Sequence, residues 1–227
     1  MAVADLTTVL GFLAELEANN NREWYSTHKE ERLAAEAEFL DLVASLQQGV
    51  ASFVPGIQEH QAKSLTFKLQ RDTRFSADKS PYNPCFRAHL GPTGKPFIPM
   101  GPYIAICPGD KSLLGGGMFA SMFSDATRMV RDAILADPDR WLRISDALPW
   151  PVRGESLKNT PRGYPQDHPC SEHLKHKSWY TEIPVSDTEL TTAGFVRQAI
   201  ADFATMHPLN EFLNHALSQF KCPNARK

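Results

Sequence analysis

The residues best suited to chemistry lie close together. In FKLQRDTRFSADKSPYNPCF, residues 67–86, Lys68, Arg71, Arg74 and Lys79 fall within twelve positions and alternate with Asp72 and Asp78. The forks of Arg71 and Arg74 can each hold a phosphate or carboxylate through two parallel hydrogen bonds, Lys79 adds a point charge, and Tyr82 supplies a hydroxyl. Asp72 and Asp78 would orient the arginines. Such a set suits the capture of a small anion. The same alternation equally describes internal ion pairs that brace an irregular loop, with Phe75 and Tyr82 packed beneath it, because paired charges mark both kinds of place.

Other candidates are more dispersed. His168 follows Asp167, a pairing suited to general acid/base work or to orienting a ligand, and equally to a turn that caps a helix. Four potential zinc ligands, His168, Cys170, His173 and His176, sit in DHPCSEHLKHK. His173 and His176 are expected to face solvent, so no metal is assigned. Arg162, in a Pro-Arg-Gly turn, would join Arg71 and Arg74 only if the fold brings it there. Gly115-Gly116-Gly117 offers backbone amides to an anion or marks a kinked strand with a close neighbour. It lacks the ending of a phosphate-binding loop. Trp24 and His28 share a helical face and would wall a pocket or join the core. No nucleophile elbow, Cys–His pairing or asymmetric carboxylate pair is evident, and no cofactor is assigned.

The elements that must position these residues follow from composition and period. A chain of 227 residues, 42% hydrophobic and 22% charged, is expected to form one domain over residues 1–227. Its net charge of −2 is uneven. Residues 1–59 hold ten acids and three bases, residues 60–95 two acids and seven bases, and residues 96–227 fourteen of each. A domain-wide basic surface is excluded, whereas a local anion site is not. No apolar run approaches the roughly 18 residues that span a bilayer, so no membrane partner and a cytoplasmic location are expected. The cysteines, Cys85, Cys107, Cys170 and Cys222, have no C-x-x-C spacing and are expected as reduced thiols.

Residues 1–58 read as helical. Leu6, Val9, Leu10, Leu13 and Leu16 recur at helical spacing, with Thr7 or Thr8 as cap, and an asparagine turn at 19–21 leads to a long second helix that Pro55-Gly56 stops. Residues 60–120 read as sheet-rich. Leu65, Phe67 and Leu69 alternate with polar residues as a half-buried strand, followed by strands at 85–90 and 103–107. Residues 121–222 read as helices from Ser124 and Pro138, a late strand in SWYTEIPV, and closing helices near 187–205 and 208–220. The fold class is α+β, with one mainly antiparallel sheet packed against N-terminal and C-terminal helices.

Arg71-Asp72-x-Arg74-Phe75 with Asp78-Lys79 and Tyr82 resembles the signature of domain-of-unknown-function family 2461. Asn20-Asn21-Arg22-Glu23-Trp24, His28-Lys29, Pro108-Gly109, Leu114 to Gly117, Pro161-Arg162-Gly163, Asp167-His168-Pro169, Leu174-Lys175 and Lys177-Ser178 resemble further family segments in the same order. The family pattern opens with arginine where this chain has Lys68, a point donor in place of a planar fork. The resemblance implies membership over nearly the whole chain and brings no activity with it. Three readings follow. The first is a small-anion binding domain, enzymatic or not, centred on Arg71, Arg74 and Lys79. The second is a nucleic-acid module using the basic 60–95 segment with Arg87, Lys95 and exposed aromatics. The third is a protein-interaction scaffold, its partner unspecified, in which the charge cluster is a brace.

Overall fold

The computed structural model describes residues 4–119 and 123–221. Helix α1 (Leu6–Ala18) is capped by Asp5, whose carboxylate accepts from the Thr7 and Thr8 amides; the expected Thr caps are one turn too late. Asn21 caps α2 (Arg22–Thr27), as its position suggested. The long second helix is in fact two. The chain breaks at His28, where Thr27 Oγ and His28 Nδ1 both bond carbonyls of the preceding turn, and resumes as α3 (Lys29–Val50).

Four strands form a meander, with β1 (Phe86–His89), β2 (Tyr103–Ile106), β3 (Ser112–Met118) and β4 (Trp179–Val185) ordered β1-β2-β3-β4 and antiparallel throughout. Between β3 and β4 lie α4 (Ser124–Ala136), α5 (Pro138–Ala147) and α6 (Ser171–Leu174). The chain closes with α7 (Asp187–Leu190), held by a Ser186–Glu189 capping box, and α8 (Phe195–Ala216). The α+β class with one antiparallel sheet is therefore correct, with helices at both ends of the chain.

Three sequence expectations are corrected. Residues 65–71 are not a strand. A 3-10 turn at Ala62–Leu65 leads into an extended segment that touches the sheet only at Thr66↔Ala88 and then pairs Gln70 with Tyr82. Pro81 and Pro84 in the returning arm have no N–H to continue a ladder. Second, the closing helices divide earlier than Pro208. α8 runs through that proline because Pro208 and Ala204, whose carbonyl loses its rung, both face solvent. Third, Cys85 and Cys107 form a disulfide, with Cα atoms 4.4 Å apart. Pairing of Phe86 with Ile106 puts residues 85 and 107 directly opposite, a proximity that sequence spacing conceals. Cys170 is free and buried, and Cys222 lies outside the described residues.

The alternation of the strands gives the sheet two unlike faces. Phe86, Ala88, Ile104, Ile106, Leu114 and Met118 are buried on the inner face. There β3 meets α8 so closely that a Cβ on Gly116 would lie 3.2 Å from the Asn210 side chain. The outer face carries Arg87, Tyr103, Leu113, Glu182 and Tyr180. One apolar cluster gathers α1, α3, β1 and the first half of α8; a second gathers α4, α5, Trp179 and the second half of α8. Among the described residues no helix is long and apolar enough to cross a membrane.

Candidate functional site

The loop between Leu69 and Asn83 is closed at its base by two backbone bonds, Asn83 N to Leu69 O at 2.7 Å and Arg71 N to Pro81 O at 2.9 Å. Asn20 clasps the returning arm from the α1–α2 turn. Its Nδ2 donates to Tyr82 O at 2.9 Å and its Oδ1 accepts from Tyr82 N at 3.1 Å. Tyr82 is buried and stacks on Tyr25 with ring centroids 3.8 Å apart, so the loop leaves the body from a fixed base.

Within the loop both arginines are paired with acids, and the lysine with a carbonyl. Arg71, 28% exposed, donates to Asp78, to Ser80 O at 3.3 Å and to Ser76 Oγ at 3.4 Å. Arg74 donates from Nε and Nη2 to the two Asp72 oxygens at 3.1 Å or less, and Lys79 Nζ reaches Thr73 O at 3.0 Å. Hydrogen bonds from Ser80, reinforced by Arg71, hold the Asp78 carboxyl far below its ordinary range. The hydrogen bonds from Arg74 lower that of Asp72. Both forks are thus occupied by neighbouring carboxylates, Arg71 by Asp78 and Arg74 by Asp72. Phe75 is not packed beneath the loop. It stands 96% exposed at the tip, with Arg74 over its ring at 5.9 Å.

This arrangement predicts a local effect. Arg71→Met should accelerate chymotryptic cleavage after Phe75 several-fold, because the loop loses its central tie, while the melting temperature of the whole chain moves by only a few degrees. Unchanged cleavage would show that Arg71 does not order the loop.

The remaining candidates lie elsewhere. Arg162 is exposed and makes no hydrogen bond or ion pair among the described residues. Its segment belongs to the far side of the sheet, where Arg153 pairs with Tyr180 and Tyr164 donates to Asp132 at 2.6 Å. The Arg71 loop springs from the β1 side, so four strands at about 5 Å spacing separate the two edges. His168 Nδ1 accepts from Cys170 N at 3.1 Å and fixes the turn into α6. His173 and His176 do not face solvent. Both are half-buried, with rings 5.7 Å apart, and His173 meets Trp141 edge-on at 5.2 Å. Packing of α4 and α5 around them is the reason, and burial pushes both imidazoles down, His176 to about 4. Among the described residues no three His, Cys, Asp or Glu side chains converge where a metal ion could sit.

The triple glycine lies within β3 and serves packing. Gly117 takes φ +107°, and its amide donates to Asn210 Oδ1 at 2.6 Å. Trp24 stacks on His28 at 4.1 Å and meets Phe12 in a tilted contact at 5.9 Å, at the edge of the core.

The family model described as Conserved hypothetical protein (DUF2461) matches residues 8–212, which include the braced loop, the sheet and all but the end of α8. The chain belongs to the DUF2461 family. No curated protein and no solved structure matches it.

Arg87 and Lys95, which the sequence groups with the basic 60–95 segment, meet in the fold around a ring that the sequence places in a strand. Phe67 leaves the core and turns to the outer face of the sheet, where Arg87 and Lys95 lie over its ring at 5.5 and 5.7 Å and Phe97 stacks on it at 5.6 Å. Beside it a cleft of ≈ 220 Å³ opens between α3 and residues 63–69, with Lys63, Lys68 and Lys95 among its lining. Lys63, Lys68, Arg87 and Lys95 have no carboxylate partner among the described residues. Glu36, the acid that lines the cleft, is paired with Arg32. The surplus of bases in residues 60–95 was the signal; which of them lacked partners depended on the loop's internal pairing.

Proposed function

We propose that this protein binds an anionic ligand, and that the ligand docks at the β1 edge of the sheet around Phe67. The observation that carries this reading is the convergence of Lys63, Lys68, Arg87 and Lys95, none of them ion-paired, beside a cleft whose one acid, Glu36, is engaged by Arg32. Four like charges on one small surface repel, and an anion arriving there gains from all of them at once. Arg71, Arg74 and Lys79 act through the loop, which they hold in the conformation that presents Lys68. The anion reading thus moves a few residues toward the N-terminus from the Arg71/Arg74 pair, whose forks already hold their own carboxylates.

Tripolyphosphate is a suitable first probe because it carries dense charge and no ring. The wild-type chain should rise in melting temperature with tripolyphosphate concentration, as any ligand of the native state requires. The double variant Lys68→Gln/Lys95→Gln should bind it about tenfold or more weakly, the loss expected for two charge-assisted contacts. Both lysines are exposed, so the variant should melt like the wild type in the absence of probe. A wild-type chain whose melting does not respond to any polyphosphate would end this reading.

A further inference from the structure

We infer that the anion is a single-stranded nucleic acid, bound across the outer face of the sheet with its bases on a row of aromatic rings. This rests on the anion site at the β1 edge and specifies its ligand. From Phe97 the rings form an unbroken series, Phe97–Phe67 at 5.6 Å, Phe67–Tyr103 at 6.5 Å, Tyr103–Phe119 at 5.5 Å and Phe119–Tyr180 at 4.7 Å. The members come from both sides of the sheet, so the row crosses its whole width. It has structural support from below. Gly115 presents no side chain on this face, and a Cβ there would lie 2.8 Å from the Phe119 ring, so the glycine makes room for that ring.

The rings are not sealed into a core. Phe97 is 46% exposed, and Phe67, Tyr103, Phe119 and Tyr180 are each only partly buried, whereas the inner face of the same sheet is closed by α3 and α8. Charge decides the partner. The row starts among Lys63, Lys68, Arg87 and Lys95, and at its far end Arg153 approaches the one acid of the strand face, Glu182, at 3.9 Å. Cations beside a line of partly exposed rings match a polymer of alternating phosphates and flat bases. An inorganic phosphate would use the cations and leave the rings idle. A duplex would meet the cations but keep its bases stacked away from the sheet, so the match is to a single strand.

The test uses the full chain, a fluorescein-labelled twelve-nucleotide oligothymidylate or oligouridylate, and polarisation at low salt. The labelled strand should bind, with affinity falling steeply as salt rises, at a log–log slope near −3 if about four phosphates are neutralised. An abasic oligomer of the same length should compete at least tenfold less well. Phe97→Ala and Tyr103→Ala should each weaken binding at least tenfold. Phe97 is the safer variant, since its exposure lets it be removed without loss of fold. If the abasic oligomer competes equally and Phe97→Ala binds like the wild type, stacking is wrong and the anion site alone stands. Tripolyphosphate binding without oligonucleotide binding, or a preference for duplex, overturns the inference in the same way. If neither tripolyphosphate nor oligonucleotide binds, the anion reading itself has failed.

Discussion

Gly117→Ala is expected to destabilise the fold by about 3 kcal/mol or more, one of the largest losses a single methyl group could cause in this sheet. Two costs combine. At φ +107° a side chain is strained whatever the space around it, and the new Cβ would sit 2.3 Å from Trp179 O and 2.7 Å from Tyr180 Cα. Both contacts are backbone atoms of the partner strand, which cannot rotate away as a side chain can. Any shift that relieves them also lengthens the 2.6 Å bond from Gly117 N to Asn210, the tie between β3 and α8. Gly11→Ala is the matched control. Gly11 lies in α1 with nothing within 4 Å of the added methyl, so that change should stabilise by about 1 kcal/mol. Urea midpoints of the two variants against the wild type measure both effects. A Gly117→Ala chain within 1 kcal/mol of the wild type would mean that β3 and β4 can separate freely, contrary to the packing described.

The second large effect is loss of stability in mild acid. Burial pushes the His89 imidazole down to about 4, and the residue is only 3% exposed. Its Nε2 accepts the Gly101 amide at 3.0 Å, a bond that needs an unprotonated nitrogen. His176 is likewise lowered to about 4 by burial, then by His173. A histidine whose folded pKa lies below its unfolded value near 6.5 keeps the chain folded while neutral. Between pH 6.5 and 4 the unfolded chain binds more protons, so stability is complete above that window and falls as the pH drops through it. For His89 alone the loss is about 3 kcal/mol. The lowered carboxylates, Asp5, Asp72, Asp78, Glu172 and Glu189, act at lower pH, since their contribution disappears only as they protonate below their ordinary values near 4. Urea midpoints measured from pH 7 to 4.5 should therefore fall, and the fall should be shallower in His89→Gln. A flat profile over that range in the wild type would show that these imidazoles are not kept neutral by the fold.

Much of this architecture was legible in the chain, and the reasons differ by element. The helical period of Leu6 to Leu16, the proline that opens α5 and the alternation in SWYTEIPV are local patterns, and local patterns survive folding. Register is not local. That Cys85 faces Cys107, or that Phe67 parts company with Leu65 and Leu69, depends on which residue stands opposite which, and a shift of one position reverses the outcome. The charge cluster shows the same division. The pairs Arg74–Asp72 and Arg71–Asp78 are short-range, so their closeness is visible in the spacing. Its consequence was not read, for once Arg71 and Arg74 are neutralised inside the loop and Lys79 is turned to the Thr73 carbonyl, the cations left over are Lys63, Lys68, Arg87 and Lys95. The sequence pattern cannot rank seven bases by the partners they lack.

α8 is shared by both apolar clusters, and it is shared unequally along its length. Phe195, Ala199, Phe203 and Met206 belong to the first cluster, Leu209, Phe212, Leu213 and Leu217 to the second. Pro208, with no N–H to offer, falls between them. The place where the helix has its weakest rung is therefore the place where one core gives way to the other. Amide exchange in the two halves should accordingly report two opening reactions rather than one, with the boundary at a residue that contributes no amide signal. In mechanical terms a strut as long as any among the described residues is scored at the joint between its two compartments, so either can loosen while the other remains shut.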